Sequence, residues 1–68
     1  MIITLTAVFA LMGEPQFLEN EVLHDPTDRQ LEQAFSRLVN ELKLVANADS
    51  APHVLVFRSG KLAQVLNV

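Results

Sequence analysis

The chain is 68 residues long, half of them hydrophobic, with no cysteine and a formal net charge of −3. It is therefore one domain at most, too apolar for a disordered chain, and unable to use disulfides or thiolate metal sites. Its five Lys and Arg are spread along the chain, and it has no Trp or Tyr for base stacking, so the footprint of a DNA- or RNA-binding protein is missing.

The first segment, MIITLTAVFALMG, has an apolar core but no Lys or Arg before it and no small-x-small cleavage pattern after it. It is also too short for a bilayer, which takes roughly 20 apolar residues. The β-branched and aromatic residues from Ile2 to Phe9 predict a strand of about ten residues. Apolar groups fall on both parities: Ile3, Leu5 and Phe9 on one face, Ile2, Val8 and Ala10 on the other. A strand of this kind is covered on both sides, or nearly so. Gly13-Glu14-Pro15 is a break. From Gln16 to His24 a second, half-exposed strand is expected, forming a hairpin with the first; a loop is the alternative.

LHDPTDRQLEQAF (Leu23 to Phe35) gathers His24, Asp25, Asp28 and Glu32. A metal site would use Asp28 and Glu32, which share a helix face, together with His24. The stretch matches no zinc or calcium ligand spacing. A helix start accounts for more of it. With Asp25 as cap, Pro26 falls at the first helical position. With Thr27 as cap, Gln30 completes a Thr-x-x-Gln box. Leu31, Ala34, Phe35, Leu38, Val39, Leu42, Val45 and Ala46 then line one helical stripe. Leu44 is the large apolar residue on the polar side, and Arg37 and Glu41 are spaced for an i,i+4 pair. The helix should fade near Asn47, since Pro52 forbids it beyond Ala51.

The last segment, HVLVFRSGKLAQVLNV, predicts two strands around a Ser59-Gly60 turn. The order β-β-α-β-β implies an α+β two-layer sandwich, one long amphipathic helix on a mostly antiparallel sheet. One helix covers little more than half of one face of such a sheet and leaves the other face bare. The surplus of apolar residues predicts a twofold homodimer that buries the open sheet face or pairs edge strands, with Ile2, Val8, Val54, Val56 and Val65 as interface residues. A one-residue register shift would exchange the two faces.

The segments EVLHDPTDRQLEQAFSRL and HVLVFRSGKLAQVLNV resemble a layout found in small immunity proteins of bacterial toxin–immunity pairs. The resemblance covers about two thirds of the chain and rests on Pro26, Thr27, Leu31, Ala34, Leu38 and the Val54–Phe57 strand. Members of that group are typically longer, with acidic or aromatic toxin-binding surfaces. The resemblance implies a small cytoplasmic accessory protein of bacterial or phage type that inhibits or adapts a partner by protein–protein contact. A chemical motif is missing: Gly13 and Gly60 are the only glycines, and no Gly-x-Ser-x-Gly occurs. No catalytic residue, metal or cofactor is expected, and no nucleic-acid or membrane partner. Two alternatives remain: a small enzyme using His24 and His53 in acid–base chemistry, or a purely structural self-assembling subunit.

Overall fold

The computed structural model describes all residues, 1–68. Four strands form one antiparallel sheet: β1 (Ile2–Leu11), β2 (Glu14–His24), β3 (His53–Arg58) and β4 (Lys61–Asn67), in the order β2-β1-β3-β4. The helix α1 (Asp28–Val45) follows β2, and a single 3-10 turn (Ala48–Ser50) leads into β3. This is the expected α+β sandwich.

Helix α1 starts at Thr27. The Thr27 side chain accepts from the Gln30 backbone N–H at 3.1 Å, and the Gln30 side chain accepts from the Thr27 N–H at 2.9 Å. The Thr-x-x-Gln box is thus the cap, and Asp25 is not. Asp28 sits in the first turn and Lys43 in the last, each complementing the helix dipole. The chain turns extended at Ala46, two residues before the 3-10 turn begins. There Asn47 accepts from the Asp49 N–H at 3.0 Å.

The core lies between α1 and one face of the sheet: Ile3, Leu5 and Ala7 from β1, Val54 from β3, and Ala34, Leu38 and Leu42 from the helix. Leu18, Leu23, Leu31, Phe35, Val56 and Leu66 pack around it. α1 lies along β1, β2 and β3, and β4 reaches the core through Leu66. Arg37 ties the helix to β2: its Nε lies 3.1 and 3.2 Å from the two Glu21 carboxylate oxygens, and its Nη2 lies 2.7 Å from one of them. Arg37 therefore pairs across to the sheet, not with Glu41 one helical turn away, because Glu21 stands opposite Leu5 on the helix-covered face.

Two features of the first hairpin depart from expectation. Its turn is Met12-Gly13, both at positive φ, so β2 starts at Glu14 and runs through Pro15. An edge strand tolerates proline, whose missing N–H faces no partner strand. The second departure is a β-bulge. Ala7 pairs with Glu19, but Val8 pairs with Phe17, which leaves Leu18 as the extra residue. Simple alternation puts Phe17 on the side of Glu19 and Leu23; the bulge moves it to the opposite face and lets Leu18 pack on the core.

Candidate functional site

The face of the sheet turned away from α1 follows from the register, because directly opposed residues share a face. β1 contributes Ile2, Thr4, Thr6 and Val8. Opposite them on β2 stand His24, Val22, Asn20 and Phe17. β3 contributes Phe57, Leu55 and His53, opposite Thr4, Thr6 and Val8. β4 completes the surface with Leu62, Val65 and Asn67. No Asp, Glu, Lys or Arg occupies any of these positions. All 13 acidic and basic residues of the chain lie on the helix, the helix-covered side of the sheet, or the loops and turns.

A solvent-facing sheet surface ordinarily alternates apolar-in with polar-out. Here both sides are apolar, and the outer one is accessible. Phe17 is 71% exposed, Leu62 56%, Val22 53% and Val65 48%. Threonine and asparagine supply the polar groups near the centre of the face, and they carry no charge.

Of the residues expected at an interface, Ile2, Val8 and Val65 lie on this face, whereas Val54 and Val56 do not. Val54 pairs with Ala7 and is fully buried in the core, and Val56 pairs with Leu5 and packs against it. The register selects Leu55 and Phe57 for the open face instead. Val8 is on the open face but already 4% exposed, flanked by Phe17 and His53 on the neighbouring strands. Exposed area comes mainly from residues the sequence reading did not single out: Phe17, Val22 and Leu62. Strict alternation could have found Val22; Phe17 was hidden by the bulge.

His24 and His53 also lie on the open face, at its opposite ends. His24 stands beside Ile2 and His53 beside Val8. Six residues of strand separate these positions, about 20 Å at roughly 3.3 Å per residue. His53 Nδ1 lies 2.7 Å from the Ala51 carbonyl oxygen and so carries the proton there. The two imidazoles share no pocket, and the geometry gives the acid–base alternative no site.

The His24–Glu32 stretch resolves into separate local contacts. Asp25, at positive φ, pairs with the Met1 ammonium, and its N–H donates to the Met1 carbonyl. The hydrogen bond from that ammonium, and then its charge, hold the Asp25 carboxyl below the usual range. No three of His, Asp and Glu come close enough together to hold a metal ion. The concave places are shallow. One, at the end of α1, is lined by Leu42, Ala46, Ala51, Pro52 and Val68, with Lys43 as its charged residue. Another lies on the polar side of the helix between Arg29 and Arg37. No helix is long and apolar enough to cross a membrane. Comparison with protein families, with characterised proteins and with solved structures finds no match.

Proposed function

We propose that this protein works by protein–protein contact, as a small inhibitor or adaptor whose docking surface is the open face of the sheet. The observation that carries this reading is the accessible apolar face, free of Asp, Glu, Lys and Arg and built from all four strands. Depletion of charge at the centre, with aromatic and aliphatic residues in its place, is what distinguishes the core of an interface from ordinary protein surface. Isolated apolar residues on a surface need no explanation, but a contiguous patch of this extent does. The likeness to immunity proteins supports the same class of action. The location that goes with it is the cytoplasm of a bacterial or phage-infected cell. One copy of the chain is expected to meet another, and a partner protein is expected to be captured by the same face or by the dimer it builds.

The test is affinity capture with purified candidate partners, using the natural protein and a Val22→Glu, Val65→Glu double variant as baits. Both substituted positions are exposed, so the variant should retain its fold by circular dichroism. Binding that is lost in the variant supports the reading. Binding that survives in a correctly folded variant places the docking surface elsewhere and overturns it.

A further inference from the structure

We infer that the occupant of the open face is a second copy of this chain, stacked face to face about a twofold axis to give a helix–sheet–sheet–helix sandwich. This rests on the reading of the face as a docking surface and goes on to name what covers it. Three observations favour a second copy.

The first is area. The molecule measures 36 × 21 × 15 Å, so the broad side has an outline of roughly 750 Å². A stable protein–protein contact buries about 800 Å² per partner. A face-to-face stack over the whole broad side therefore approaches the size that holds; a contact along the edge of β4 alone is much smaller.

The second is charge. Two copies of a chain at −3 repel at long range. In a twofold contact every group on the face meets a face identical to its own, so a single carboxylate or ammonium there could be set against its own symmetry mate. This face carries none. Asn20, Thr4 and Thr6 can donate and accept, which lets them pair with themselves across the axis.

The third is incompleteness. An ordinary folded monomer of 7.6 kDa exposes about 4300 Å². This chain exposes 4750 Å², roughly a tenth more, and only nine of its 68 residues are buried. The layer missing from its second face is supplied by the sheet of another copy, at the usual spacing of about 10 Å.

Sedimentation equilibrium on the intact chain tests the inference. The natural protein is expected at twice 7.6 kDa at micromolar concentration. Val22→Glu and, separately, Val65→Lys should weaken association by about tenfold or more, because each places an unpaired charge in the contact. Their circular dichroism should match the natural protein, and having two variants guards against one that misfolds. Exchange of the outward-facing β4 amides should stay fast in the dimer, since stacked faces leave that edge open, whereas the amides paired with β3 are protected in either case. A natural protein that remains at 7.6 kDa at high micromolar concentration overturns the second-copy occupant. If partner capture still depends on Val22 and Val65, the docking reading survives that result; if not, both fall. A dimer unaffected by either substitution, with the outward-facing β4 amides protected, overturns the stacked arrangement in favour of paired edges.

Discussion

Met12 is held at φ 53 and Gly13 at φ 80, the two central positions of a hairpin turn that needs both in the left-handed region. Glycine takes that conformation freely, whereas a residue with a Cβ is disfavoured there by about 1–2 kcal/mol unless it is Asn or Asp. Met12 is also 97% exposed, so its side chain recovers nothing by packing. Met12→Asn should therefore raise stability by up to about 1 kcal/mol in urea denaturation; an unchanged or lower midpoint would mean that the methionine has contacts in solution which outweigh the strain. Asp25 gives a second prediction at this scale. Its carboxyl is held below the ordinary value of 3.8 by the Met1 ammonium. A depressed folded-state pKa contributes stability that is complete above the unfolded value and is lost as pH falls through the folded one. The Asp25 carboxyl resonance should thus titrate below pH 3.8, and acetylating the amine should move it upward. A midpoint at or above 3.8 would be the contrary result.

The elements differ in how openly the sequence declares them. α1 was legible because its apolar spacing and its Thr27–Gln30 box agree with each other, and the structure adds only that Arg37 reaches Glu21 instead of Glu41. The final hairpin was legible from Ser59-Gly60, a turn whose chemistry is local. The first hairpin was harder: Met12 is not a residue that announces a left-handed turn, and Pro15 suggested a break where an edge strand in fact continues. The faces were harder still. Strands with apolar residues on both parities fit the sheet equally well in either phase, and only tertiary contact with α1 decides. That is why Val54 and Val56 looked exchangeable with Leu55 and Phe57. The 3-10 turn gave no periodic signal because three residues are too few to carry one. The settled register yields a prediction. Val56→Glu directs a carboxylate towards the core beneath α1 and should unfold the protein, whereas Leu62→Glu, on the accessible face, should not. Leu38→Ala, at a fully buried position, should cost about 2–5 kcal/mol. A protein that tolerates Val56→Glu and unfolds with Leu62→Glu in thermal melts would mean that the two faces are assigned the wrong way round.

For the whole molecule, the issue is whether one helix and one sheet form a complete folding unit. The core has seven buried side chains, all on one side of the sheet. On the other side only Val8 is buried, with Phe17 and His53 beside it on the neighbouring strands. Domains of this size without disulfides usually need a further source of stability. The exposed face can supply it through association. Where the dimer is the species that unfolds, the melting temperature depends on protein concentration. The size of the dependence follows from the unfolding entropy. With about 2.1 cal/mol/K per residue over two copies of a 68-residue chain, each tenfold rise in concentration, about 1.4 kcal/mol of association free energy, raises Tm by roughly 5 °C. Scans from micromolar to millimolar concentration should show this slope for the natural protein. A Val22→Glu, Val65→Glu variant should melt lower, with no dependence on concentration. A natural protein whose Tm stays constant over that range would be stabilised by its one-sided core alone, and its open face would then be free for a different partner.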